Sequence, residues 1–83
     1  MAVDVEQAAW EARWKAVRPQ ASYQPTWGLE QAWKANADTW GYPLEDGQVT
    51  VTVSGEDFQA RTFSLIGIVI WHPAQGALVI GWP

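Results

Sequence analysis

The chain has 83 residues, seven tryptophans and no cysteine, so we expect one domain over residues 1–83 with no disulfide and no thiolate zinc site. Its net charge of −4 argues against nucleic-acid binding, because such a protein needs cations to displace the counterions of phosphate. No apolar run reaches the ~18 residues of a membrane-spanning helix, and acids at positions 4 and 6 stand where a signal peptide carries positive charge.

Two helices are predicted in the first half of the chain, over residues 4–40. Asp4 is placed to cap a helix over residues 5–17, in which Trp10 and Trp14 share one face. A loop with two prolines follows, and a second helix is predicted over residues 27–38. Because the tryptophans lie on the apolar stripes of these helices, we expect them to form much of the core.

The hydrophobic period changes from 3.6 to 2 at about residue 44, which predicts strands. Short turns separate four such segments, at residues 49–53, 58–63, 68–72 and 77–82. We therefore predict an α+β fold, with two N-terminal helices packed on a four-stranded antiparallel meander over residues 48–82.

The last two strands predict apolar side chains on both faces of this sheet. A turn at residues 73–76 that pairs His72 with Ala77 places four apolar residues on the second face, as a candidate interface: Ile66, Ile68, Ile70 and Val79. Two short helices can cover one face of four strands, so the other face needs its own cover. The loop over residues 18–26, a ligand and a partner chain are all open as that cover.

Catalytic and metal chemistry receive little support from the sequence. His72 is the single histidine, and no acid lies within helical or strand reach of it, so we predict no metal site and no cofactor. The acidic pairs at 45–46 and 56–57 bracket a strand about 17 Å long, too far apart for the ~5–10 Å of a glycosidase dyad. Ser64 lacks the Gly-x-Ser-x-Gly context of a nucleophile. We expect a domain that is not an enzyme.

Aromatic residues at the ends of the predicted elements suggest a glycan-binding site. Flat aromatic rings stack on the apolar faces of sugar rings, while amides hydrogen-bond to the hydroxyl groups. The candidate ligand-binding residues are Trp40, Tyr42, Trp71 and His72, with Asn36 and Gln75 as polar partners. Burial of these rings in the core is the competing interpretation. The alternative function is protein–protein association, either with a second copy through the apolar sheet face or with a domain of a parent protein.

Three segments of the second half form a pattern: WGYPL at 40–44, FQARTF at 58–63 and GIVIWHPAQGALVIGW at 67–82. Together they resemble an LGFP-type repeat, over about residues 33–82. Such repeats occur in bacterial cell-surface and secreted proteins. The resemblance implies a non-catalytic accessory module that associates with the cell wall, in a secreted or cell-surface context if the chain is a module of a longer protein.

Overall fold

The computed structural model describes residues 5–83 and contains two helices followed by one sheet. The elements are α1 (Val5–Trp14), α2 (Gly28–Trp40), β1 (Val49–Val53), β2 (Glu56–Phe63), β3 (Gly67–His72) and β4 (Gly76–Gly81). The strands are neighbours in chain order and each pair is antiparallel. The predicted α+β fold with a four-stranded meander is confirmed. The proposed cap at Asp4 lies outside the described residues.

Both helices end at positions that differ from the sequence prediction. Helix α1 stops at Trp14, whose indole Nε1 donates to the carbonyl of Ser22 at 2.9 Å and so holds the returning loop. Helix α2 extends to Trp40, where Gly41 takes a φ of +84° and donates its N–H to Ala37 O at 2.9 Å. A positive φ favours glycine and is common just after a helix.

The core between the helices and the sheet is built largely from aromatic rings. Trp14 lies edge-to-face with Trp33 at 5.0 Å and with Phe63 at 5.8 Å between ring centroids. Such pairs contribute about 0.5–1.5 kcal/mol each beyond the area they bury. The cluster, called here the helix-side core, contains Trp14, Ala21, Tyr23, Leu29, Trp33, Ala37, Trp40, Phe63 and Val69. Large rings thus supply a core to a small domain without cysteines.

The pairing of the last two strands differs by one residue from the prediction. His72 pairs with Gly76 instead of Ala77. The reason is that Gly76 adopts a φ of +74° and closes a three-residue loop. Within this loop, Gln75 N donates to His72 O at 3.1 Å. A one-residue slip moves every side chain of the strand to the other face. Val79 therefore lies opposite Val69 on the helix side.

Candidate functional site

A cleft opens where the start of α2 meets the helix side of the sheet. It has a volume of about 290 Å³ and is lined by Thr26, Trp27, Gly28, Leu29, Gln48, Gln59 and Trp71. This volume is near the lower limit for small-molecule sites. The lining contains two indole rings and two carboxamides, and no charged side chain among the described residues.

The cleft owes its shape to a glycine at the start of α2. A Cβ atom at Gly28 would lie 2.7 Å from Trp71 Cη2 and closer still to two other atoms of that ring. The absence of a side chain lets the Trp71 indole lie directly against the first turn of the helix. Trp27, the residue before the helix, has an extended backbone and makes no side-chain cap, and its side chain remains exposed.

The two glutamines of the cleft are loosely held. Gln59 faces Trp71 across the β2–β3 pair, and its Oε1 accepts from Gln48 Nε2 and from Thr50 Oγ1, both at 3.5 Å. Bonds of this length are at the weak limit of hydrogen bonding. Gln48 Oε1 is shielded from solvent and has no hydrogen-bond partner among the described residues. The weak bonds of Gln59 Oε1 and Gln48 Nε2 leave these two atoms able to exchange partners with a ligand, whereas the shielded Gln48 Oε1 is out of reach of one.

The aromatic candidates from the sequence do not gather in one place. Trp71 lines the cleft and packs on the edge of the helix-side core. Trp40 is 4% exposed and packs on Phe63 at 5.3 Å, so it presents no ring face to a ligand. Tyr42 is half-buried after α2, and its backbone N–H donates to Ser64 Oγ at 2.9 Å. The predicted helix ended at residue 38 with Trp40 in line with its apolar stripe, and α2 continues through Trp40.

Asn36 lies apart from the other candidates, on the exposed surface of α2. Its Nδ2 donates to Ala32 O at 2.8 Å, and its backbone departs from helical dihedrals, with φ −129° and ψ 16°. A side chain that bonds to its own helix competes with the backbone and bends it. Asn36 also borders a second cavity of about 240 Å³, whose lining includes Arg13, Lys34 and Asp38 and shares no residue with the cleft.

His72 and Gln75 belong to the β3–β4 turn. His72 Nδ1 accepts the N–H of Ala74 at 3.0 Å, and its Nε2 lies 3.6 Å from Glu56 Oε2. Gln75 Nε2 donates to the same carboxylate oxygen at 2.9 Å. These contacts tie the turn to the start of β2. The expectation that no acid lies within reach of His72 is therefore wrong for Glu56, because the sheet brings together residues that are far apart in the chain. Of the six candidates, therefore, only Trp71 lines the cleft.

Sequence reasoning missed three residues of the cleft as ligand contacts: Trp27, Gln48 and Gln59. Two signals were present. The Trp27–Gly28 pair puts a large ring beside a residue with no side chain, and a glutamine lies within the predicted strand 58–63, which the structure pairs with Trp71. The positions of the aromatic residues along the chain do not reveal these contacts, because both depend on which helix and strands pack together.

The side of the sheet away from the helices is apolar and is called here the open face. Three of its residues are buried (Phe58, Ala60 and Ile70), two are half-buried (Val51 and Ile68) and four are exposed: Val49, Val53, Leu78 and Ile80. The loop over 18–26 does not cover it, since its Ala21 and Tyr23 are buried in the helix-side core.

The predicted interface residues divide between the two sides of the sheet. Ile68 and Ile70 lie on the open face, as expected. Ile66 packs against the helix-side core, and Val79 lies on the helix side because of the register shift. The prediction that these four residues share one face is wrong for Ile66 and Val79.

A buried acid and a buried base lie beneath the sheet. Glu30 and Arg61 are almost fully buried, and loss of hydration raises the pKa of Glu30 and lowers the pKa of Arg61. The Arg61 guanidinium lies 4.7 Å above the Trp14 ring, and its Nη2 donates to the carbonyls of Glu45 and Asp46 at 3.0 and 3.1 Å. This arrangement connects β2 to the preceding loop and lies outside the cleft.

Within residues 5–83, no group of three His, Asp or Glu side chains is arranged to hold a metal ion. No helix in that part of the chain has the length and apolarity to cross a membrane. No protein-family model matches this chain, and neither does any curated protein or solved structure. The resemblance to the LGFP-type repeat therefore stays a prediction.

Proposed function

We propose that this domain is a non-catalytic module that binds a glycan in the cleft between Trp27 and Trp71. The observation that carries the proposal is the pairing of two indole rings with two carboxamides in one uncharged concave site. Indole faces stack on the apolar C–H faces of sugar rings. A carboxamide both donates and accepts hydrogen bonds, which suits hydroxyl groups.

The lining also supports a binding role without catalysis. No carboxylate, imidazole or basic side chain is among the described residues of the cleft, so a bound sugar meets no general acid or base there. The buried Glu30 donates nothing to such a ligand, because its side chain is enclosed in the core.

The cleft admits about one sugar ring, which limits the affinity. A ring of about 12 non-hydrogen atoms at roughly 0.3 kcal/mol per atom gives about 4 kcal/mol, which corresponds to a Kd near 1 mM. Weak single-site binding of this kind becomes useful when several sites act on one polymer.

The test is a titration with soluble peptidoglycan fragments and with oligosaccharides of N-acetylglucosamine, followed by tryptophan fluorescence and amide chemical shifts. Trp27→Ala removes a ring that is 47% exposed in the cleft, and Trp82→Ala removes one that is 55% exposed outside it. We expect the first variant to raise Kd about fivefold, since a stacked ring contributes about 1 kcal/mol, and the second to leave it unchanged.

Two results would overturn the proposal. One is a titration of the wild-type domain that stays flat to tens of millimolar ligand, well above the expected Kd. The other is equal loss of binding in both variants, because that outcome would place the ligand outside the cleft.

A further inference from the structure

We infer that a second copy of this chain docks on the open face, so that two sheets pack face to face. This surface lies on the side of the sheet opposite the cleft, so the inference goes beyond glycan binding and does not depend on it. Phe58, Ala60 and Ile70 form a small cluster there, separate from the helix-side core, and are themselves only 4–6% exposed. The apolar surface left for a partner is therefore made by the exposed residues around this cluster: Val49, Val53, Leu78 and Ile80. Among residues 5–83, neither the helices nor the loop after α1 contributes to that cluster.

Strand β1 has its apolar side on the open face. Its three valines pair with Ala60, Phe58 and Glu56 and point away from the helices, while Thr50 and Thr52 point to the helix side. A sheet with one solvated face normally turns its apolar side to the core and its polar side to water. In β1 this order is reversed, and Val49 and Val53 are exposed. The pattern fits a strand whose valines are covered by another chain.

The charges around the open face favour an uncharged occupant. The strand positions that face this side carry one carboxylate, Glu56 at the start of β2, and one histidine, His72. A second carboxylate, that of Glu45 from the preceding loop, accepts from Thr62 Oγ1 at 3.3 Å near the other end of β2. The basic residues of the chain all lie on the helices, in the loop after α1 or on the helix side of the sheet: Arg13, Lys15, Arg18, Lys34 and Arg61. Nucleic acids and acidic proteins find no cation here. A second copy presents the same apolar surface without a charge conflict.

The size of the open face matches the lower range of specific dimers. Four strands about 4.8 Å apart and about 17 Å long form a footprint of roughly 300 Å². Two such footprints amount to roughly 600 Å² in projection, and because side chains expose more surface than their projection, contact removes at most on the order of 1,000 Å² of accessible surface, at the lower limit for a specific interface. Sheets that pack face to face lie about 10 Å apart with strands nearly aligned. We therefore expect a two-fold symmetric dimer with a dissociation constant in the micromolar range.

The experiment is sedimentation velocity on the chain over about a hundredfold range of concentration, since association is governed by mass action. Two neighbouring residues of β4 form a matched pair: Leu78 is 42% exposed on the open face, and Val79 is 49% exposed on the helix side. Leu78→Lys places a charge in the proposed interface and should raise the dimer Kd at least about tenfold. Val79→Lys should leave it within about twofold. Circular dichroism checks that both variants fold.

If Leu78→Lys does not fold, Val49→Lys on the opposite edge of the open face repeats the test. A wild-type chain that remains a monomer at hundreds of micromolar would overturn the inference. Equal weakening by Leu78→Lys and Val79→Lys would also overturn it, because that result indicates pairing through the free edge of β4. Glycan titration of each variant reports on the cleft separately, so failure of the dimer is distinguishable from failure of the binding site.

Discussion

Replacement of Gly28 by alanine tests the contact that shapes the cleft. The new Cβ would lie 2.7 Å from Trp71 Cη2 and closer to two other ring atoms, whereas carbon atoms normally stay about 3.5–4.0 Å apart. Extra bulk in a packed site costs about 1–3 kcal/mol, while the gain in helix propensity is at most about 1 kcal/mol. Because three ring atoms of Trp71 lie within 2.7 Å of the new Cβ, the cost falls at the upper end of this range, and we expect a net loss of about 2 kcal/mol, which lowers Tm by roughly 8–16 °C in a domain of this size.

The measurement is reversible thermal unfolding by circular dichroism, with tryptophan fluorescence as a report on Trp71. Gly47→Ala is the matched control, because the nearest atom to its new Cβ is Ser22 Oγ at 3.8 Å, an ordinary van der Waals distance. This control should be neutral or slightly stabilising, since alanine reduces the entropy of the unfolded chain. If Gly28→Ala melts at or above the temperature of Gly47→Ala, the reasoning about this contact is wrong.

Three further predictions concern the core and the sheet. Burial raises the pKa of Glu30, so the contribution of this residue to stability is greatest below the unfolded pKa of about 4.3 and is lost as pH rises through the folded pKa. Glu30→Gln should lack this decline when the free energy of unfolding in urea is measured against pH. An identical pH profile in both proteins would contradict the prediction. Trp33→Phe removes the hydrogen bond from the indole N–H to Gly41 O at 2.8 Å and leaves a gap in the core. The free energy of unfolding should therefore fall by about 2–4 kcal/mol, and a change under about 1 kcal/mol in urea titrations would be inconsistent with this packing. Gly67→Ala puts a side chain on a residue with a φ of +86° and places its Cβ 2.6 Å from Gly81 O. Thermal unfolding should show that the variant is less stable by at least about 3 kcal/mol. A melting curve identical to that of the wild type would rule out the close approach of β3 and β4.

The fold was predictable because the hydrophobic period changes once along the chain. Tryptophans at helical spacing identify the first half, and alternating valines identify β1. The β3–β4 register was not predictable in the same way. Both faces of those strands are apolar, so the pattern does not distinguish one register from its neighbour. The left-handed conformation of Gly76 decides the pairing, and turn type is a property of the backbone that composition leaves open.

The candidate site was only partly predictable, for a related reason. Trp40 falls seven residues after Trp33, so it continues the buried stripe once α2 extends through it. An aromatic ring just past the end of this helix would be exposed, whereas one in its last turn is buried. Because a helix end predicted from sequence can shift by a few residues, the sequence does not decide between these two positions for Trp40. Trp27 and Gln59 come together only through the packing of α2 on the sheet. Spacing along the chain does not report such contacts.

The two sides of the sheet carry different surfaces, with the cleft on one side and the apolar strands on the other. A pair of copies joined through their apolar strands would hold its two clefts outward, in opposite directions. One short saccharide could not then occupy both sites, but two separate polymer strands could be bridged. Such a bridge would convert weak single contacts into crosslinking whose strength depends on polymer density and on the concentration of the protein itself.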